Sequence, residues 1–167
     1  MNRMYDFDVQ ISKIADDFFE AYKRCCEPKN LHIDEFGRTI GATINVPAIV
    51  NASFACELYL KNILVNSHHN HNLKLSYQDL SLNIQLELKT IATQELSKMN
   101  FNSDFEEYLN DISESFVSWR YIYEYDFTTG FLGKKVNEYI QLFNILLPIF
   151  KEISDKYSPK DPITPLN

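Results

Sequence analysis

Glycine and proline are scarce in this sequence, with four glycines and six prolines among 167 residues. Three of the prolines, Pro159, Pro162 and Pro165, fall near the end of the chain. Chains built only from β-strands need frequent turns, and turns draw heavily on these two residue types. The shortage therefore argues against an all-β fold and predicts an all-α fold.

Cysteine is also rare, since the chain contains only Cys25, Cys26 and Cys56. The number is odd, two of the three are adjacent, and none belongs to a Cys-x-x-Cys pair with histidines at zinc spacing. A chain of this length can bury enough core to fold without disulfides. We therefore predict free thiols in a reducing compartment.

Basic residues are outnumbered, with 16 against 23 acidic residues and a formal net charge of −7. This balance excludes a general electrostatic attraction to nucleic acid or to an anionic membrane, so any such contact must be local. No apolar run reaches the length of about eighteen residues that a membrane helix needs, and residues 1–8 carry no apolar run either. The sequence predicts a cytoplasmic protein with no membrane partner.

The sequence does contain many apolar residues at helical spacing. They make up 45% of the chain, enough for one core, so we expect a single domain over residues 1–157 and a flexible, proline-containing tail over 158–167. A first helix is predicted from about Phe7 to Cys26. Residues 27–46 contain two glycines and no helical period, which predicts a short hairpin or a functional loop.

A second helix is predicted from Ala48 to Val65, with Pro47 in its first turn, where a missing N–H costs nothing. Apolar residues on two flanks mark it as the central helix of the domain. Glu57 and Lys61 stand four positions apart with the acid first, which is typical of a surface ion pair worth about 0.3 kcal/mol. Glu57 would be a partner for Arg120 if the helices bearing them pack together.

Asn72 is expected to cap a short helix that runs to Leu80. Residues 80–89 are ambiguous: their leucines and isoleucine alternate with polar residues as in a half-buried strand, yet every fourth residue also falls on one helix face. We predict a helix, because Gln, Glu, Leu and Lys are helix formers and no partner strand is evident.

The most regular apolar pattern leads up to Arg120. Apolar residues recur in steps of three and four over residues 103–125, which predicts one long helix that begins with a capping box of Ser103 and Glu106. Arg120 lies beside this seam, where it is either held by a buried carboxylate or presented at the mouth of a groove. A final helix over residues 132–157 brings the expected number to about five to six.

The sequence contains only weak patterns of residues that could bind a metal or a cofactor. His68, His69 and His71 are close in sequence, but no carboxylate or thiol at a fixed short spacing completes a ligand set. A serine or cysteine nucleophile would need an activating base, and nothing in the sequence marks one. We therefore predict no metal site and no cofactor.

Three blocks of the sequence together resemble bacterial HEPN-domain proteins. They are residues 47–61 (PAIVNASFACELYLK), His71-Asn-Leu73 leading to Asp79-Leu80, and residues 116–124 (FVSWRYIYE). The resemblance implies an up-and-down helical bundle that usually forms a homodimer through the helices bearing the motif. It also implies membership of a family linked to RNA cleavage or RNA binding in toxin–antitoxin and phage-defence systems.

Catalytic HEPN ribonucleases carry an arginine followed, four to six residues later, by a histidine on the same helix. Arg120 matches that arginine, but the positions four to six later are Glu124, Tyr125 and Asp126. Without that histidine, these positions contain no obvious proton-transfer group. His71 matches a histidine common in the related proteins and could approach from another helix, although we expect it to cap the short helix or bond a backbone carbonyl.

We therefore predict an HEPN-like, homodimeric, non-catalytic RNA-binding or regulatory component of a toxin–antitoxin or phage-defence module. Its groove is expected to be formed or braced by Arg120, Tyr123, Glu124, Glu57, Lys61 and His71. In this hypothesis Arg120 contacts phosphate and Tyr123 offers a stacking face. Glu57 and Glu124 would orient the arginine.

Two alternatives remain open. A metal-independent endoribonuclease would use Arg120 with His71 or Glu124 as its acid–base partner. A protein-binding adaptor or antitoxin would use its acidic surface to mimic or mask nucleic acid, and would form a stable complex with a basic partner protein.

Overall fold

The apolar segments of the sequence form helices that pack into an all-α bundle, as predicted. The structure is a computed structural model and describes residues 5–27, 32–33, 35, 39–40, 45–64, 71–113, 115–120 and 131–158. The predicted tail lies outside the described residues from position 159 onward. His68 and His69 lie outside them as well.

The elements in chain order are α1 Tyr5–Cys26, β1 His32–Ile33, β2 Thr39–Ile40, α2 Asn45–Ile63, α3 Leu73–Gln78, α4 Leu82–Lys98, α5 Phe105–Ile112, α6 Ser115–Arg120 and α7 Phe131–Tyr157. The two strands pair antiparallel, with His32 opposite Ile40 and Ile33 opposite Thr39. The connection over residues 27–46 therefore holds the short hairpin that was one of its two predicted forms.

Helix α2 is central, as its two apolar flanks predict. It packs against α1, α3, α6 and α7. Ala48, Ala52 and Ala55 are fully buried, and such small side chains let neighbouring helices approach closely. Tyr59 and Leu60 are fully buried as well and fill the space farther along the helix.

Helix α4 resolves the ambiguity of residues 80–89 in favour of the predicted helix. Ile84 and Leu88 are buried, whereas Leu82 and Leu86 are 68% and 55% exposed. A strand would place all four side chains on one face, because its side chains alternate with a period of two. The helical period instead separates them into a buried pair and an exposed pair.

The prediction of one long helix over residues 103–125 is wrong, because the helical segment is interrupted between α5 and α6. Ser113 lies in a turn, its hydroxyl donates to the Leu109 carbonyl at 2.6 Å, and its own carbonyl accepts from the Leu73 N–H at 3.1 Å. The Ser113 hydroxyl also accepts from the Lys74 N–H at 3.1 Å. The chain thus uses Ser113 to hold the first turn of α3 rather than to continue α5.

The predicted capping box at the start of this segment is also absent. Asp104, and not Ser103, occupies the N-cap position of α5, and its side chain makes no cap hydrogen bond. Lys89 of α4 bonds Asp104 at 3.2 Å and Glu106 at 2.8 Å instead. Both carboxylates therefore serve to join α5 to α4 and not to satisfy the backbone of their own helix.

Candidate functional site

The strongest polar feature near the predicted groove is the buried carboxylate of Glu57 on α2. Its side chain is 1% exposed, and its Oε1 accepts a hydrogen bond from Lys61 Nζ at 2.6 Å. His71 Nδ1 lies 3.0 Å from the same oxygen and 3.1 Å from Oε2. A buried charge is tolerated only when it is paired and hydrogen-bonded, and Glu57 meets both conditions.

The pair of Glu57 and Lys61 forms as predicted, but not at the surface. The Lys61 side chain is 14% exposed, so its ammonium group and the carboxylate lie largely out of water. Helical spacing brings the two together in either setting, which is why the spacing could not distinguish a surface pair from a buried one. Burial makes the pair much more sensitive to the loss of one partner than a surface pair is.

His71 does not cap α3 or bond a backbone carbonyl, so the role expected for it is wrong. Asn72 is the N-cap, as predicted, and its Oδ1 accepts from the Leu75 N–H at 3.0 Å. His71 stands one residue earlier and turns its ring toward Glu57. Because an ionised carboxylate only accepts hydrogen bonds, Nδ1 is the donor, and Nε2 of the neutral ring is an acceptor.

A line of aromatic rings supports the imidazole. Phe18 of α1 meets Phe54 of α2 edge-on, with ring centroids 4.6 Å apart. Phe54 stacks on Phe116 of α6 at 4.4 Å with an interplanar angle of 17°, and Phe116 lies 5.2 Å from the His71 ring. The ring of His71 is thus fixed by Glu57 on one atom and by Phe116 on its side, while its side chain stays 49% exposed.

The structure brings together three of the six predicted groove residues, namely Glu57, Lys61 and His71. Arg120 is the final residue of α6, four positions after Phe116, but its side chain lies outside the described part of the structure. Tyr123 and Glu124 lie outside it entirely. The predicted bracing of Arg120 by Glu57 and Glu124 therefore stays a prediction, and the partners described for Glu57 are Lys61 and His71.

Phe54 and Phe116 belong to this site, although neither was among the predicted groove residues. Phe54 precedes Glu57 by three positions on α2, and Phe116 precedes Arg120 by four on α6. Residues three or four positions apart along a helix fall on one face of it. This spacing is the signal that could have identified them.

The three cysteines are free thiols, as predicted. Burial raises the pKa of the Cys56 thiol and that of the Cys26 thiol. A raised thiol pKa opposes formation of the nucleophilic thiolate. Across the described residues, no cluster of three or more histidine, cysteine or acidic side chains has an arrangement that could hold a metal ion.

A second polar cluster lies away from Glu57 and joins three helices. Asp16 of α1 accepts hydrogen bonds from the Tyr59 hydroxyl at 2.7 Å and from Lys151 Nζ at 2.6 Å. Partial burial acts to raise the pKa of Asp16, but the bonds from Lys151 and Tyr59 outweigh burial and hold that pKa below its ordinary value. This cluster ties α1, α2 and α7 together and is structural.

Comparison with protein-family models, with curated proteins and with solved structures finds no match to this chain. The resemblance to HEPN-domain proteins therefore rests on the residues quoted from the sequence. Within the described residues, no helix is both long enough and apolar enough to cross a membrane.

Proposed function

We propose that this protein is an HEPN-like, non-catalytic RNA-binding component of a toxin–antitoxin or phage-defence module. The observation that carries the proposal is the buried Glu57 carboxylate, which holds Lys61 and the half-exposed His71 beside a stack of aromatic rings. The chain resembles HEPN proteins at the same residues. The fixed imidazole offers a flat face, and single-stranded bases stack readily on such rings.

The charges of this site favour a small, local contact with RNA. Glu57 and Lys61 neutralise each other, so the described residues of the site carry no net charge while His71 is neutral. Arg120 would supply the positive charge that meets a phosphate. Two arginines would share one groove if two copies of the chain associate through these helices, as the resemblance implies.

This charge distribution makes the expected binding only weakly dependent on salt. Each phosphate contact to a single strand contributes a slope of about −0.7 to the dependence of log K on log salt concentration. One or two arginine contacts would therefore give a slope between about −0.7 and −1.4. A protein with a net charge of −7 would bind RNA by stacking and by this local contact, not by a broad basic surface.

A second candidate is a metal-independent endoribonuclease, because the geometry contains an oriented acid–base group. The Glu57 carboxylate fixes Nδ1 of His71, which leaves Nε2 as the proton acceptor on a half-exposed ring. A carboxylate that orients an imidazole in this way is a recurring arrangement for general bases. In that case His71 would replace the histidine that is missing after Arg120.

One experiment distinguishes the two candidates. Purified protein is incubated with labelled total RNA in EDTA and examined on native and denaturing gels, beside Arg120→Ala and His71→Ala variants. Arg24→Ala is the matched control, because Arg24 is an exposed arginine on α1. The proposal predicts intact RNA in a shifted complex that the first two variants weaken and the control retains.

Cleavage by the wild type that both site variants abolish would overturn the non-catalytic proposal in favour of the ribonuclease. RNA that is neither bound nor cleaved would leave the adaptor or antitoxin alternative. Capture of a defined basic partner protein would then test that alternative.

A further inference from the structure

The imidazole of His71 has one ring nitrogen bonded within the protein and one open to a ligand. Nδ1 lies 3.0 Å from Oε1 of Glu57 and 3.1 Å from Oε2. Nε2 has no hydrogen-bond partner among the described residues. Because Nδ1 faces a buried carboxylate and the side chain is 49% exposed, the exposed part of the ring includes the opposite edge, where Nε2 lies. A ligand can therefore reach Nε2 from solvent.

The Glu57 carboxylate is itself fixed, and it fixes the tautomer of His71. The carboxylate is 1% exposed, and its Oε1 accepts a hydrogen bond from Lys61 Nζ at 2.6 Å. An ionised carboxylate accepts hydrogen bonds and cannot donate one, so the proton of the neutral imidazole stays on Nδ1. The lone pair of Nε2 then lies in the plane of the ring. The site therefore presents a single, oriented hydrogen-bond acceptor.

An acceptor at this place selects among the parts of an RNA strand. Phosphate oxygens are acceptors themselves, so they do not bond to the lone pair of Nε2. The donors of a strand are the N–H groups of its bases and the 2′-hydroxyl group of each ribose. The group that bonds Nε2 is therefore a base edge or a ribose hydroxyl.

The stacking proposed for His71 decides between these two donors. Phe116 stands on one side of the imidazole, with ring centroids 5.2 Å apart, and a base would stack on the other face. A stacked base lies in a plane parallel to the imidazole, about 3.5 Å away, and its N–H donors point along that plane. They do not point at the Nε2 lone pair. The ribose lies beside the stack, and its 2′-hydroxyl group rotates about a single bond and can point at Nε2.

We propose that Nε2 of His71 accepts a hydrogen bond from the 2′-hydroxyl of the nucleotide that stacks on the imidazole, so that His71 distinguishes RNA from DNA. This role of His71 rests on the proposed function, because it requires an RNA strand in the groove. DNA lacks the hydroxyl, and a bound DNA strand leaves Nε2 to water. The face of the ring contributes affinity for any base, and Nε2 contributes the preference for ribose.

The expected preference is small. The His71 side chain is 49% exposed, so its bond to ribose replaces a bond to water, and the net gain from such an exchange is modest. We expect RNA to bind about threefold more tightly than DNA with the same bases. Phenylalanine keeps the stacking face, so His71→Phe should stay within about threefold of the wild-type affinity for RNA.

The affinities of three matched single strands test this role. The strands contain only adenine and cytosine, so that their bases are identical, and they carry a hydroxyl, a hydrogen or a fluorine at the 2′ position. Fluorine keeps the sugar in the pucker of RNA but has no hydrogen to donate. Fluorescence anisotropy of the wild type should give about threefold tighter binding of the hydroxyl strand than of either other strand. His71→Phe should bind all three equally, and Arg24→Ala, at an exposed position on α1, should keep the wild-type preference.

Three results would overturn this role of His71 while the proposed RNA binding stands. Equal affinities of the wild type for all three strands would show that the site does not read the sugar. A fluorine strand that binds as tightly as RNA, and more tightly than DNA, would assign the preference to the sugar pucker. A preference for RNA that persists in His71→Phe would assign it to another residue. No binding of any strand would contradict the proposed function itself, and this role with it.

Discussion

Nδ1 of His71 lies 3.0 Å from Oε1 of Glu57, a residue fourteen positions earlier and 1% exposed. The same oxygen holds Lys61 Nζ, so a single buried carboxylate organises a cation and an imidazole. The segment before α3 is thereby tied to the central helix. The proposed RNA groove depends on this arrangement.

Removal of the Glu57 charge should destabilise the fold strongly. Glu57→Gln leaves the Lys61 ammonium group largely buried without its counter-charge, and we expect a loss of about 3 kcal/mol in the free energy of unfolding. Urea unfolding measures this loss. Glu152→Gln, at an exposed position on α7, is the matched control and should change stability by less than about 0.5 kcal/mol.

Lys61→Met should rescue part of that loss, because methionine retains the packing of the lysine stem without its charge. In a double-mutant cycle we expect Glu57 and Lys61 to be coupled by about 2 kcal/mol. Additive effects of the two substitutions would contradict a buried ion pair.

Stability should decline in acid through Asp16. The pKa of Asp16 is held below its ordinary value of 3.8, so its contribution is fully present above that pH and is lost as pH falls through the lower folded-state pKa. Asp16→Asn should therefore cost stability at neutral pH, and the difference from wild type should shrink as the pH falls below about 4. Urea titrations from neutral to acidic pH measure this difference. A constant difference at every pH would mean that the charge of Asp16 contributes nothing.

The interruption between α5 and α6 can be tested at Ser113. Ser113→Ala removes the hydroxyl that donates to Leu109 and accepts from the Lys74 N–H, so we expect a loss of about 1–2 kcal/mol in the free energy of unfolding. Ser118→Ala, at an exposed position on α6, is the control and should be nearly neutral. Equal effects at the two serines would show that Ser113 has no special role in holding α3.

Substitutions at His71 separate binding from catalysis. Phenylalanine keeps a flat ring beside Phe116 but offers no proton acceptor, whereas alanine removes both properties. If the site binds RNA by stacking, His71→Ala should weaken affinity about tenfold, as expected for the loss of one stacked base, and His71→Phe should retain it. Fluorescence anisotropy with a labelled single strand gives the affinities. Cleavage activity lost equally in both variants would instead identify His71 as an acid–base group.

The helices could be predicted from the sequence because their apolar residues follow a local period. The assignment of residues 80–89 to a helix came from helix-forming residues between the leucines, and α4 confirms it with Ile84 and Leu88 buried and Leu86 exposed. The break at Ser113 could not be found in this way. It depends on a contact with Leu73, forty positions earlier, and the local apolar pattern runs through the break unchanged.

The candidate site likewise has features that the sequence predicted and features that it could not predict. The spacing of Glu57 and Lys61 predicted their pairing, but their burial depends on how the surrounding helices pack around α2. His71 was expected to cap α3 or to bond a backbone carbonyl, yet Asn72 and Ser113 accept the hydrogen bonds of the first turn of that helix and leave the imidazole available to Glu57. Tertiary packing decides which partner each side chain bonds, and it leaves no pattern in the local sequence.

The measurement that tests the central claim most directly is the affinity of wild type, Arg120→Ala and Arg24→Ala for a labelled single-stranded RNA as salt concentration is varied. The account predicts a shallow salt dependence, a loss of about tenfold in Arg120→Ala, as expected for one charge-assisted contact, and no loss in Arg24→Ala. Equal affinities for all three proteins, or no binding at the lowest salt concentration, would contradict the proposed RNA groove.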